Sequence, residues 1–206
     1  MTHTPPKTGL LGGTFDPVHN AHLTIAARAY EAAGLDRVLL LPAAAPPHKR
    51  GLHLTDGAHR LAMARLAAEG FPWMDVCDWE LNHPGRGYTV DTLKALRAAG
   101  EEQLSFIIGG DSLLMLDQWR DPAGLLAQAA FVAVTRPGCD EAALLAQRDK
   151  LLARFGGEII LVTGEGVDLS STAIRARAAA GLPLSGLVPP AVAAYIEEHQ
   201  LYREDV

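Results

Sequence analysis

Two histidines three residues apart, His19 and His22, stand in the stretch Gly12-Gly13-Thr14-Phe15-Asp16-Pro17-Val18-His19-Asn20-Ala21-His22-Leu23, which leaves one apolar run and opens an Ala-rich one. Paired glycines let a backbone approach a ligand closely, and a helix start presents unpaired N–H groups with a partial positive charge; both suit a phosphate. The helix can begin with Asp16 as N-cap and Pro17 in first position, or later with Asn20 as cap. Either start leaves both imidazoles near its positive end. The later one projects His19 from the loop and His22 from the first turn, converging on one point. The stretch is neither a G-x-x-x-x-G-K-[ST] phosphate loop nor a G-x-G-x-x-G dinucleotide fingerprint. Two plainer readings compete: a glycine turn followed by one capped, exposed histidine, and a His-x-x-His metal pair, for which spacing suggests no third ligand.

A second cluster is Asp168-Leu169-Ser170-Ser171-Thr172-Ala173-Ile174-Arg175, whose Ser/Thr run signals a helix start. With Ser170 as cap, Ser171, Thr172 and Arg175 share a face and offer hydroxyls, N–H groups and a guanidinium to one anion. An ordinary capped helix with a solvated arginine fits the same letters. Asp111, in Gly109-Gly110-Asp111-Ser112-Leu113, falls where a strand end meets a helix start; it can accept ribose hydroxyls, orient a metal-bound water, or simply cap the helix. Trp119 lies in the polar stretch from Asp117 to Asp121, an odd setting for a core residue: a flat aromatic there can stack on a planar ring or pack partly against its helix. No Ser-His-Asp or Cys-His arrangement is readable by spacing.

These residues need a scaffold, and the scaffold is legible as alternation. Short Leu/Ile/Val runs predict strands over 8–12, 37–41, 73–77, 104–108, 131–134 and 158–162. Between and after them, helical patterns run over 21–33, 56–69, 90–99, 112–116, 141–154, 172–180 and 190–199. That order predicts an open α/β parallel sheet, whose carboxyl edge is where such folds bind ligands. The Pro42 to Lys49 stretch then reads as a loop on that edge, and the last helices as packed on the same domain.

The 206 residues fit a single domain, 1–206, able to bury about two-thirds of its unfolded surface. With 49% hydrophobic and 20% charged residues and a mean hydropathy of +0.09, the chain falls in the soluble globular class. Its net charge of −6 is the wrong sign for a general nucleic-acid binder. The first 60 residues depart from that average, with six Lys/Arg against four acids and six of the eight histidines, so this segment is locally suited to polyanions. Cys77 and Cys139 are isolated, which points away from a disulfide framework and towards a reducing cytoplasm. No secretory leader and no apolar run near 18 residues is visible, so neither export nor a membrane partner is expected. The oligomeric state is left open.

The first stretch resembles the H-x-G-H signature of nucleotidylyltransferases, and in detail that of bacterial nicotinate-nucleotide adenylyltransferases, with Ala21 where that signature usually has Gly. The second resembles their I-S-S-T-x-I-R motif, with Leu169 for Ile. Pro46-Pro47-His48-Lys49, Tyr88-Thr89-Val90-Asp91-Thr92-Leu93, Gly109 to Trp119 and Arg136-Pro137-Gly138 are similar to further segments in the family's order, while Gly85-Arg86-Gly87 replaces the usual Gly-Pro-Ser. The resemblance covers about residues 8–178. It implies a Rossmann-like open parallel sheet with helices on both faces and a short C-terminal helical segment. It also implies ATP and nicotinate mononucleotide as substrates, with deamido-NAD and pyrophosphate as products and Mg²⁺ arriving with ATP. His19 and His22 would then be catalytic, with Gly12, Gly13, Thr14, Phe15, Lys49, Asp111, Ser171, Thr172 and Arg175 on ATP. Thr89, Asp111, Trp119 and Arg136 would take the mononucleotide, and no residue is assigned as a resident metal ligand. The alternatives are another nucleotidylyltransferase, such as phosphopantetheine adenylyltransferase, and a non-catalytic nucleotide-binding regulator.

Overall fold

Apolar runs with no polar alternation demand a sheet covered on both faces, and the computed structural model, which describes residues 5–44, 54–83, 87–136, 138–164 and 169–203, has one. Strands β1 (Lys7–Gly13), β2 (Arg37–Pro42), β3 (Met74–Val76), β4 (Gln103–Gly109), β5 (Ala130–Val134) and β6 (Ile159–Val162) lie parallel in the order β3-β2-β1-β4-β5-β6. Each of the six predicted strands is present within two residues of its expected ends.

Helices α1 (Asn20–Ala32), α2 (Gly57–Ala68), α3 (Trp79–Asn82), α4 (Thr89–Ala98), α5 (Gly110–Leu114), α6 (Pro122–Gln128), α7 (Glu141–Phe155), α8 (Ser171–Ala179) and α9 (Pro190–Glu198) complete the described chain. Alternate strand side chains enter two separate cores. Leu11, Val38, Leu40, Ile107, Val132 and Val134 pack with Leu23 and Ala26 of α1, Met63 of α2, Ile174 of α8 and Ile196 of α9. Leu10, Phe106, Ile108, Phe131 and Ala133 pack with Leu93 of α4, Leu113 of α5, Leu125 of α6 and Leu151 of α7. Each such large side chain contributes about 1.5–3 kcal/mol on burial. The C-terminal pair α8 and α9 therefore joins the first core, as expected. Among the described residues no helix is long and apolar enough to cross a membrane.

Two α-helices, and a single 3-10 turn over Leu116–Gln118, escape the sequence pattern. Helix α3 is four residues long, too short to show a period. Helix α6 had a readable start, because Asp121 accepts the Gly124 N–H at 2.9 Å and Pro122 takes the first position. The cap of α1 also needs correction: it is His19, in extended conformation, and Asn20 is already helical. Asn20 is occupied elsewhere, its backbone N–H donating to Leu187 O at 2.9 Å and its side chain to Gly186 O at 2.9 Å.

Strand order reverses between the neighbours β1 and β4. The chain leaving β1 feeds α1 on one face, and the chain leaving β4 feeds α5 on the other, so a crevice opens between the two loops. That places Gly12 to His22 and Gly109 to Asp111 side by side.

Candidate active site

Glycines 12 and 13 are required by close packing at the mouth of β1. A Cβ on Gly13 would lie 2.7 Å from the Phe15 ring, and one on Gly12 would lie 3.0 Å from the Phe106 ring. Phe15 turns the chain with a left-handed φ of 50° and buries its ring to 1% exposure, edge-on to His22 at a centroid distance of 5.0 Å. Its side chain is thus core, and what Phe15 offers a ligand is backbone.

The two imidazoles converge as the spacing suggested, stacked at 3.7 Å between centroids and 22° between planes. His19 is 5% exposed, and burial lowers its pKa from 6.5 to about 4, so the ring is neutral at physiological pH. Its buried Nδ1 has no hydrogen-bond partner among the described residues. His22 Nδ1 accepts the backbone N–H of His19 at 3.2 Å, which leaves Nε2 as the ring nitrogen that carries a proton. A stacked imidazole pair at a helix N-terminus can donate hydrogen bonds to a phosphoryl group. The Ala21 side chain between them in sequence is buried.

The second cluster meets the first. Ser170 caps α8 as expected, its Oγ accepting the Ala173 N–H at 3.2 Å. Ser171 Oγ donates to Pro17 O at 3.0 Å, Arg175 Nη1 to Asp16 O at 2.7 Å, and Arg175 Nη2 to Thr172 Oγ1 at 3.3 Å. Two residues read from sequence as phosphate contacts therefore hold the main chain of the histidine loop here, and α8 presents its N-terminus beside that loop.

Sequence reasoning missed what three further residues of this cluster do: Arg60, Asp16 and Tyr202. Arg60, 2% exposed, donates through Nη1 to Thr14 O at 2.8 Å and Ala43 O at 2.7 Å, and through Nε to Thr55 O at 3.0 Å. Asp16, 1% exposed, accepts the Thr55 N–H at 3.3 Å and the Tyr202 hydroxyl at 2.9 Å. A signal existed for Arg60 alone: it sits three and four residues before Met63 and Ala64, on the apolar face of α2.

Across the crevice, Gly109 caps α5 and Asp111 follows in its first turn, exposed and ion-paired with Arg136. Trp119 is half-buried, its ring meeting Phe106 edge-to-face at 6.3 Å; Phe106 thereby bridges Trp119 to Gly12. Thr89 is the first residue of α4, and Tyr88 rather than Thr89 occupies the cap. The Arg120 guanidinium lies 4.4 Å over the Tyr88 ring, so the chain beside Thr89 touches the chain beside Trp119. Under the first turn of α4, the Thr92 hydroxyl donates at 2.9 Å to buried Glu80, whose carboxyl is pushed above its ordinary pKa by burial. Lys49 and its Pro46-Pro47-His48 neighbours lie outside the described residues, as do Gly85 and Arg86.

The profile of the cytidylyltransferase-like family matches residues 10–177. Among curated relatives, the chain is 44% identical to a protein of Symbiobacterium thermophilum over 95% of both chains, and 44% identical to one of Roseiflexus sp. over 95% of this chain and 97% of the other; both are named "Probable nicotinate-nucleotide adenylyltransferase". Its fold is similar to that of Plasmodium falciparum nicotinic acid mononucleotide adenylyltransferase complexed with NaAD, with a TM-score of 0.75 at 18% identity, covering 95% of this chain and 96% of that one. On identities of this size over nearly the whole length, with both signatures brought to one crevice, the chain belongs to the nicotinate-nucleotide adenylyltransferases of the cytidylyltransferase-like family.

Proposed function

We propose that the chain, acting as one domain over residues 1–206, transfers the adenylyl group of ATP to nicotinate mononucleotide. The products are deamido-NAD and pyrophosphate, in a step of NAD biosynthesis. The carrying observation is the stacked His19 and His22 pair at the N-terminus of α1, in the loop that leaves β1 at the point where the strand order reverses. The relatives' names support the same reaction.

The mononucleotide phosphate is itself the nucleophile. One of its oxygens attacks the α-phosphorus of ATP in line, a new P–O bond forms, the bond to the bridging α–β oxygen breaks, and pyrophosphate leaves with that electron pair. No covalent enzyme intermediate and no strong base are needed. With a pKa near 4, His19 is a poor proton acceptor at neutral pH, which suits a hydrogen-bond donor to charge developing on the phosphoryl oxygens. His22 donates from Nε2 in the same way. Gly12, Gly13, Thr14 and Phe15 contribute backbone to the phosphates, with Thr172, Arg175 and the start of α8 on the β- and γ-groups and Lys49 from its loop. Ser171 keeps the histidine loop in place. The Asp111 and Arg136 pair sets a carboxylate beside a cation, for ribose hydroxyls and the mononucleotide phosphate respectively. Thr89 and Trp119 take the pyridine carboxylate and ring.

The described residues bring no three His, Cys, Asp or Glu side chains together as a metal cage, and this donor set fits a cation held mainly by triphosphate oxygens and water. Mg²⁺ entering with ATP would neutralise charge on the departing pyrophosphate, with exposed Asp111 as the carboxylate able to orient a coordinated water. A cytoplasmic setting, inferred from the two isolated cysteines, suits a reaction on ATP.

The test is pyrophosphate release from ATP with nicotinate mononucleotide, nicotinamide mononucleotide and 4'-phosphopantetheine as acceptors. Nicotinate mononucleotide is expected to be the best. Turnover with phosphopantetheine and none with nicotinate mononucleotide would overturn the reading.

A further inference from the structure

The histidine loop is held by residues far from it in sequence, and one of these comes from beyond α9. Past that helix, Gln200 and Tyr202 both take left-handed backbone conformations, with φ of 52° and 67°. Leu201 N donates back to Ile196 O at 3.0 Å. This turn brings Tyr202 to the first core, where its hydroxyl donates to Asp16 Oδ1 at 2.9 Å across 186 residues of sequence. Asp16 is buried and lies three residues before His19. Its carboxylate accepts from the Thr55 N–H and the Tyr202 hydroxyl, while its main-chain oxygen accepts from Arg175. Burial and the neighbouring Asp16 charge push the Tyr202 hydroxyl far above its ordinary pKa, so it remains a donor throughout the working pH range.

We propose that Tyr202 is a positioning residue for adenylyl transfer: through Asp16 it fixes the conformation of the loop that presents His19 and His22, and so governs turnover without touching substrate. A hydroxyl delivered to a buried carboxylate is directional, whereas apolar packing of the same ring is not. Its loss leaves Asp16 Oδ1 without that donor and frees the loop to shift by a fraction of an ångström, a displacement to which in-line transfer is sensitive. The kinetic consequence rests on the adenylyl-transfer reading.

The test compares wild type with Tyr202→Phe, Asp16→Asn, the double variant and Tyr195→Phe. Tyr195 is a control for general loosening of the same segment, because its hydroxyl lies 2.9 Å from His59 Nδ1, away from the loop. Tyr202→Phe is expected to lower kcat about tenfold while both KM values stay within about twofold, with the double variant no worse than the slower single one. Tyr195→Phe is expected to keep the wild-type kcat. Independently of turnover, the ring ¹⁵N resonances of His19 and His22 are expected to shift in Tyr202→Phe and not in Tyr195→Phe. Wild-type kcat in Tyr202→Phe, an equal loss in Tyr195→Phe, or unmoved histidine resonances in a folded Tyr202→Phe overturns the proposal. A wild type inactive on ATP and nicotinate mononucleotide defeats the functional reading instead, and the resonances then decide the role of Tyr202 alone.

Discussion

At the N-terminal ends of the strands, charged side chains satisfy one another: Arg37 donates to Glu101 at 2.6 Å and to Thr8 Oγ1 at 3.0 Å, and the Thr8 hydroxyl donates to Glu101 at 3.0 Å. At the C-terminal ends, Arg60, Arg175 and Ser171 donate instead to main-chain carbonyls of a single loop. The first arrangement is a closed triad that requires nothing more. The second spends its donors on holding a backbone, and leaves the groups that loop presents for something that arrives later. Similar side chains thus secure the sheet at one end and hold the histidine loop in one conformation at the other.

The largest effect that would break this contrast lies in the imidazoles themselves. His19→Ala or His22→Ala is expected to lower kcat by about 100-fold or more while circular dichroism and the thermal midpoint stay near wild type. Unchanged turnover in a folded variant removes that residue from the chemistry. Next is the clamp: Arg60→Met removes the guanidinium that donates to the carbonyls of Thr14, Ala43 and Thr55, and should cost about 3–5 kcal/mol in urea unfolding together with most activity. Lysine at that position, lacking the planar fork, should restore only part of both.

A smaller effect follows from the buried histidine. Because the folded-state pKa of His19 is depressed to about 4, the stability it contributes is fully present above the unfolded value of 6.5 and is lost as pH falls through the folded one. Wild type should lose about 2–3 kcal/mol from this group between those pH values. His19→Gln should show a correspondingly flatter stability profile over the same window. The smallest effect belongs to the opposite end of the sheet. Glu101→Gln breaks a pair whose Arg37 side chain is 41% exposed and hence screened, so about 0.5–1 kcal/mol of stability and a kcat within about twofold of wild type are expected. A large activity loss there would dissolve the distinction between the two ends.

Much of this was legible in one dimension because it is periodic or local. Strands covered on both faces read as unbroken Leu, Ile and Val, and the Ser170 cap and the convergence of His19 and His22 follow from spacing alone. What stayed hidden is long-range. Ser171 and Arg175 look like free phosphate donors in sequence, since nothing local shows that the carbonyls of Pro17 and Asp16 have come within reach. Phe15 belongs to a glycine-rich stretch that suggests ligand contact, yet its ring is needed to fill the space that Gly13 leaves. Tyr202 carries no sequence signal, because the acid it donates to is 186 positions away.

That separation also orders events during synthesis. A ribosome that adds roughly 5–20 residues per second makes the histidine loop first, and reaches Tyr202 about 10–40 seconds later. For that interval Asp16 has no tyrosine to accept from, and Ser171 and Arg175 are themselves late arrivals. A nascent chain can therefore lay down β1, α1 and β2 well before the loop between the first two has the bonds that fix it. The histidine loop is made long before the residues whose bonds finish it.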